Sequence, residues 1–140
     1  MNHDYLFVYG TLRRSLRRAA KNSRNSLLNE HADFISEARF QGRMYLVDYY
    51  PGVVSSENKN DWVVGEIYAL REPEIILPKL DHYEECLEEF EQPTEYIRVQ
   101  QKIFLANGNT CTAWVYLYNW PVNEMKWIPS GDFSNLNFAP

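Results

Sequence analysis

The sequence predicts an α+β fold: a mixed sheet, long and bulged enough to curl toward a barrel-like shape, with two main flanking helices. Three observations carry this. Segments rich in β-branched and aromatic residues recur along the chain and dominate it. Two of them, Tyr96–Leu105 and Thr110–Tyr118, are joined by Asn107-Gly108, the signature of a tight hairpin turn. Only two stretches, 15–30 and 73–84, carry helix-compatible spacing.

The elements follow in order. Residues 5–9, Tyr-Leu-Phe-Val-Tyr, form an unbroken apolar and aromatic run that fits a buried strand ending at Gly10. Leu16, Ala19, Ala20, Leu27 and Leu28 make 15–30 compatible with a helix. Residues 37–47 read as a strand, with Phe40, Met44 and Leu46 partly spaced by two and Gly42 as a bulge. Tyr50-Pro51-Gly52 reads as a turn, and Trp62–Leu70 as the next strand, carrying Gly65. Pro73 suits the first position of a helix over 73–84. Ile76, Leu80 and Tyr83 give that helix an apolar stripe, and Pro78 is expected to kink or restart it. In the hairpin, Ile97, Val99, Ile103 and Leu105 share one face with Cys111, Ala113, Val115 and Leu117 expected on one side of the partner strand. Tyr96, Arg98, Gln100 and Lys102 take the opposite face, as do Trp114, Tyr116 and Tyr118. Residues 120–140 read as irregular, with Pro121, Pro129 and a turn at Ser130-Gly131-Asp132.

At 140 residues the chain is expected to be one domain, 1–140, large enough for a real core. Hydrophobic residues at 45% and aromatics at 15% exclude a disordered chain. No apolar run approaches the ~18 residues of a membrane span. Asp4 and the lack of a basic segment before an apolar stretch argue against a secretory leader. Cys86 and Cys111 read as free thiols of a reducing, cytoplasmic setting. A net charge of −5 argues against general nucleic-acid binding. A basic block (Arg13, Arg14, Arg17, Arg18, Lys21, Arg24) and an acidic block (Asp81, Glu84, Glu85, Glu88, Glu89, Glu91) read as solvated faces or as functional patches. Residues 13–26 lack the aromatics or glycines of an RNA-binding segment. His3, His31 and His82 have no metal-ligand spacing, so no metal is expected. No Gly-x-Ser-x-Gly elbow or Cys/His signature points to a covalent nucleophile.

Two short stretches carry chemistry. At Tyr9-Gly10-Thr11-Leu12 a strand runs into a glycine turn, where successive backbone N–H groups can point at one anion or oxyanion. An ordinary strand end would have the same sequence. The second stretch is Leu80-Asp81-His82-Tyr83-Glu84. Leu80 and Glu84 are four apart and share a helix face, so Glu84 lies at the edge of the apolar stripe. Partial burial, the negative end of the helix dipole and repulsion from Asp81 and Glu85 would all favour its protonated form, as a general acid or base requires. A solvated acidic helix end is the alternative. Arg98 is placed either to pair with a substrate carboxylate or to form a structural ion pair with the acidic helix. Tyr116 either hydrogen-bonds in a pocket or fills it.

Together the two stretches resemble a known family. Phe7-Val8-Tyr9-Gly10-Thr11-Leu12-Arg13 resembles the opening signature of the gamma-glutamylcyclotransferase-like (AIG2-like) family, and Leu80-Asp81-x-x-Glu84 resembles its catalytic-glutamate segment. Gly42-Arg43-Met44-Tyr45, Tyr50-Pro51-Gly52, Val64-Gly65-Glu66-Ile67-Tyr68, Tyr96-x-Arg98, Trp114-Val115-Tyr116 and Ser130-Gly131-Asp132-Phe133 agree in order and spacing. The chain is most similar to the small members of gamma-glutamylamine cyclotransferase type. The resemblance implies a barrel-like mixed sheet and release of 5-oxoproline and an amine from a small γ-glutamyl substrate, without a cofactor. It implies Glu84 as the catalytic acid/base, and the backbone of Tyr9, Gly10, Thr11 and Leu12 as the substrate-binding turn. A non-catalytic binding protein that keeps the pocket is the other reading. Ser15 and Glu85 stand where relatives carry glycine, and 14–26 lacks the short Gly-x-x-Asn connection. These departures bear on substrate identity more than on fold.

Overall fold

The structure is a computed structural model that describes residues 4–10, 28–47, 50–84, 86–87 and 89–133. Its elements are β1 (Asp4–Val8), β2 (Ala32–Leu46), β3 (Pro51–Ser55), β4 (Trp62–Leu70), α1 (Pro73–Tyr83), β5 (Tyr96–Leu105), β6 (Thr110–Tyr118) and β7 (Lys126–Ile128). Residues 28–31 form a helical turn ahead of β2. The rest of the helix expected over 15–30, and the basic block within it, lie outside the described residues.

The strands run in the order β3-β2-β4-β1-β6-β5, and β2 pairs again with β5. Five strands, β2, β4, β1, β6 and β5, therefore close on themselves as a barrel. The pairing is mixed: β1 and β6 are parallel, with Leu6 opposite Trp114, and the other pairs are antiparallel.

Closure rests on β2, which changes partners along its length. It pairs with β4 from Ala32 to Gln41 and with β5 at Ala38 and Arg39. From Gly42 to Leu46 it pairs with β3, and from Met44 to Leu46 also with β7. The irregularity expected at Gly42 lies instead between Phe34 and Ser36. The extra residue there, Ile35, breaks the two-residue period, which hides the first part of β2 from a reading that starts at 37. At Gly42 the ladder with β4 has ended and the pairing with β3, on the other edge of β2, begins. Pro51 and Gly52, expected as a turn, open β3, because a proline at the first strand position needs no ladder N–H. The segment expected to be irregular holds the three-residue strand β7.

Each barrel strand has one face inside and one outside. Phe7, Phe40, Val63, Ile67, Ile103, Ala113 and Val115 pack as one buried cluster, the barrel interior. Leu6, Val8, Tyr68, Leu70, Tyr96, Tyr116 and Tyr118 form the outer cluster with Leu28 and with Ile76, Leu77 and Leu80 of α1. The hairpin faces divide between these clusters as the alternation predicts.

The helix α1 starts at Pro73 and runs unbroken through Pro78. Pro78 is exposed, so the carbonyl left without an N–H partner lies toward water. Its buried residues are Ile76, Leu77, Leu80 and Asp81. At about 100° per residue this face centres roughly 70° from Ile76, about 90° away from Tyr83. Tyr83, placed on the stripe by its seven-residue spacing, is accordingly 43% exposed.

Two stability predictions follow from the packing. Gly131 holds φ +65, and a Cβ there would stand 1.8 Å from the Trp62 carbonyl oxygen. Gly131→Ala is expected to destabilise by about 2 kcal/mol or more, from left-handed strain and the backbone clash together. Thermal unfolding should show a midpoint lower by roughly 5–10 °C. The buried Asp61 carboxylate accepts from Arg43 Nε at 2.6 Å and from Ser56 Oγ at 2.6 Å, and these bonds hold its pKa below the usual carboxylate value. A depressed pKa stabilises the fold above the unfolded value, about 3.9, and that contribution fades as pH falls through the folded value. In denaturant titrations, the stability gap between wild type and Asp61→Asn should be constant above about pH 5 and shrink below about pH 4.

Candidate functional site

The strand register gathers one set of residues at one end of the barrel. The last residue of β1, Val8, lies opposite Glu66 of β4. Because β6 runs parallel to β1, its C-terminal residues Tyr116 to Tyr118 lie at that same end. Antiparallel pairing brings the start of β5 there too, with Tyr96 opposite Tyr118 and Arg98 opposite Tyr116. The chain leaves β4 at the far end, where Leu70 lies opposite Asp4, and α1 then runs back over the outer face. Eleven helical residues span roughly 16 Å and the five of β1 about the same. The C-terminal end of α1 thus arrives level with the end of β1.

Glu84 is the C-cap residue of α1. It keeps a right-handed helical backbone, φ −84 and ψ 0, and its N–H donates to the Leu80 carbonyl at 2.9 Å. Counted on from Ile76 at about 100° per residue, Glu84 falls near 80°, close to the centre of the buried face. Its half-buried side chain lies near two phenols. Burial raises the pKa of Tyr9 well above its ordinary value, and the Glu84 charge adds to the rise. Tyr96 is raised likewise, by burial first and then by Tyr9, Glu84, Glu95 and Tyr50. Both phenols therefore stay neutral. Tyr9 donates its proton to the Tyr116 carbonyl at 2.6 Å and Tyr96 to the Pro51 carbonyl at 2.7 Å. The Tyr9 oxygen also accepts from the Val53 backbone, which offsets part of the rise, and one acceptor position remains on it.

Gly10 follows directly on Tyr9. Among the described residues the glycines with positive φ are Gly108 and Gly131, so Gly10 is not required here by a left-handed backbone. A Cβ there would meet Pro51 Cγ at 3.2 Å, a tight approach to which Pro51 would have to yield by a few tenths of an ångström. Pro51 in turn holds the Tyr96 hydroxyl, so Tyr9, Gly10, Pro51, Tyr96 and Glu84 form one neighbourhood. Thr11 and Leu12, expected to complete the substrate-binding turn, lie outside the described residues, as do Ser15 and Glu85.

Arg98 and Tyr116 are both directed at Asp81. Arg98 donates from Nε to Asp81 Oδ1 at 2.7 Å and from Nη2 to Oδ2 at 3.0 Å. Tyr116 donates its hydroxyl to Asp81 Oδ1 at 2.8 Å. Of the two geometries expected for Arg98, the structure has the ion pair with the acidic helix. Its guanidinium also lies 4.3 Å from the centroid of the Trp114 ring. Burial lowers the Arg98 pKa, but the hydrogen bonds and charge of Asp81 outweigh this, and the net shift is upward. Burial raises the Tyr116 phenol, and the Asp81 charge and hydrogen bond raise it further. The Cys86 thiol is pushed up to about 12, by burial and then by Asp81, so it stays protonated and is no nucleophile at neutral pH. Sequence reasoning treated Asp81 as a like charge beside Glu84 and as one member of the acidic helix that Arg98 could pair with. The signal for its pairing was the shared face of Tyr96 and Arg98 on β5, opposite Tyr116 on β6, the face on which the helix packs. Among the described residues no group of three His, Cys, Asp or Glu side chains could hold a metal ion, and no helix is long and apolar enough to cross a membrane.

Solved structures share this fold. YkqA from Bacillus subtilis is 27% identical, with TM-score 0.66 over 94% of this chain and 40% of its own, so the present chain spans less than half of that protein. The protein ytfP from Escherichia coli is 29% identical, with TM-score 0.60 over 94% of this chain and 96% of its own. An aig2-like protein from Mus musculus, 24% identical with TM-score 0.65 over 89% and 82%, shows the fold alone. No curated protein matches the chain. A family model described as "Gamma-glutamyl cyclotransferase, AIG2-like" matches residues 6–135. That span takes in the whole of α1 and every strand but the first two residues of β1, and the chain belongs to the gamma-glutamyl cyclotransferase, AIG2-like family.

Proposed function

We propose that the chain is a γ-glutamyl cyclotransferase-type enzyme that converts a small γ-glutamyl compound into 5-oxoproline and a free amine. The observation that carries this reading is the approach of the Glu84 carboxylate to Tyr9, the residue leading into the Gly10 turn. Family membership gives the reaction class its support.

The chemistry needs few protein groups. The substrate's α-amine attacks its own γ-carbonyl, a C–N bond closes the five-membered ring, and the C–N bond to the leaving amine breaks. The α-ammonium loses two protons on becoming a lactam N–H, and the departing nitrogen gains two on becoming an ammonium, so no water is consumed. Holding the chain in a near-attack pose supplies about 7–11 kcal/mol in favourable cases. Glu84 takes a proton from the ammonium and returns one to the leaving nitrogen. Backbone N–H groups of the turn after Tyr9 stabilise the oxyanion. Tyr9 and Tyr96, neutral and with their protons committed elsewhere, offer acceptor oxygens to the substrate ammonium without adding a charge.

Glu84→Gln keeps the size of the side chain and removes its base. Assayed for 5-oxoproline release over a panel of γ-glutamyl amines, amino acids and peptides, it should lose about 10²–10⁴-fold in kcat with a thermal unfolding midpoint near that of wild type. Wild-type turnover by this variant would remove Glu84 from the mechanism. Thermal stabilisation by 5-oxoproline, with no turnover of any compound in the panel, would identify a binding protein instead.

A further inference from the structure

The Asp81 cluster has a geometry that the reaction alone does not require. Asp81 is 7% exposed and lies one turn before Glu84, where residues three apart on a helix are neighbours at about 5–6 Å between Cβ atoms. Three hydrogen bonds from two strands converge on its carboxylate: two from Arg98 on β5 and one from Tyr116 on β6. Its backbone carbonyl accepts from the Cys86 N–H at 3.1 Å and from the Cys86 thiol at 3.6 Å, which ties down the chain just after Glu84. The carboxylate is thus fixed to the barrel and its carbonyl to the exit from the helix, with Glu84 between the two anchors.

Charge reinforces the geometry. Among the described residues, the titratable groups that the Glu84 charge reaches are Cys86 from its own segment, Tyr9 just after β1, and Tyr96 from β5. Asp81 stands three residues before Glu84, and Arg98 of β5 is bonded to Asp81. Tyr116 of β6 lies behind Asp81, Glu95 lies beside Tyr96, and His82 is turned outward to within 3.7 Å of Glu89. Tyr9, Tyr96, Tyr116 and Cys86 are all held in their neutral forms. Among the described residues, the carboxylate one turn before Glu84, Asp81, is paired with the Arg98 guanidinium.

We infer that Asp81 is a positioning residue for Glu84: clamped by Arg98 and Tyr116, it fixes the last turn of α1 against β5 and β6 and gives Glu84 a neighbour whose charge is already balanced. The inference rests on Glu84 as the acid/base of the proposed reaction, but its electrostatic half is readable without turnover.

The test uses the full chain labelled with ¹³C at the glutamate side-chain carboxyl, the Glu84 resonance being the one that Glu84→Gln removes. Asp81→Asn leaves the Arg98 charge unopposed, so Glu84 should titrate lower by about one pH unit or more. Arg98→Gln leaves Asp81 unopposed, so Glu84 should titrate higher by a similar amount. The double variant carries neither charge and should titrate near wild type. Arg98→Lys keeps the charge but loses the fork. Its Glu84 midpoint should stay near wild type while kcat for 5-oxoproline release falls about tenfold or more and KM changes little. Tyr116→Phe, which removes one hydroxyl and keeps the ring, should lower kcat in the same way. Equal Glu84 midpoints in wild type and both single charge variants would overturn the inference, as would wild-type kcat in Arg98→Lys and Tyr116→Phe. Should Asp81→Asn fail to fold, the Arg98 and Tyr116 variants decide alone. If no γ-glutamyl compound turns over while the midpoints move in opposite directions, the proposed reaction falls and the placement of Glu84 by Asp81 stands.

Discussion

The closure of the barrel through β2 is the constraint on which the rest of the structure depends. A strand has two edges, yet β2 meets four partners, because each edge changes partner along its fifteen residues. Its middle residues Ala38 and Arg39 are paired on both edges at once, with β4 on one side and with Leu105 and Phe104 of β5 on the other. Without that join the sheet would remain open between β2 and β5. The interior cluster would then lose the wall that lets Phe40, Ile103 and Val63 face one another. Closure also leaves the outer face as the one place for the helix. An eleven-residue helix has no room inside five strands, and the apolar side chains of Leu6, Val8, Tyr68 and Leu70 need a cover.

Closure also decides where chemistry can be assembled. With β1 and β6 parallel and the other pairs antiparallel, the end of β1, the start of β5 and the end of β6 must share one rim. A helix that leaves β4 at the opposite rim, and matches β1 in length, must deliver its C-terminus to this rim. Glu84 and Tyr9 are some seventy-five residues apart in sequence, and their meeting follows from topology and two lengths. No long-range signal beyond the strand order is needed. The same reasoning places Pro51 beside Gly10. Pairing of Leu46 with Pro51 folds β3 back along β2, and the Tyr96 hydroxyl then finds the Pro51 carbonyl.

Much of this was legible in the sequence, for identifiable reasons. The strand Trp62–Leu70 was readable from its β-branched and aromatic residues, and Tyr96–Leu105 and Thr110–Tyr118 from their alternation and the Asn107-Gly108 turn between them. The start of β2 was hidden where Ile35 interrupts the period, and β3 where Pro51-Gly52 imitates a turn. Lys126–Ile128 pairs with β2 but is too short to show a period. At the candidate site, the placement of Glu84 on the same side of α1 as Leu80 was legible from their spacing, since helix periodicity is local. The partners of Asp81 were less so: Arg98 could be narrowed to two choices, and only the packing of α1 against β5 and β6 selects between them.

Charge balance shows why that selection matters to the chemistry. Two carboxylates about 6 Å apart at an effective dielectric of about 20 repel by about 3 kcal/mol, some two pH units in proton affinity. In the proposed reaction, an unpaired Asp81 at that distance would raise the proton affinity of Glu84 and slow it as a base. An arginine without Asp81 would do the reverse and weaken it as an acid. With the pair closed by two short hydrogen bonds, each contribution cancels most of the other at Glu84. The groups whose pKa the Glu84 charge raises, Tyr9, Tyr96 and Cys86, are neutral and add no charge of their own. A residue that must both take a proton and return it works best near the middle of its titration. In the proposed reaction, pairing Asp81 with Arg98 serves that condition, while Ile76, Leu77 and Leu80 keep the apolar face that docks the helix on the barrel.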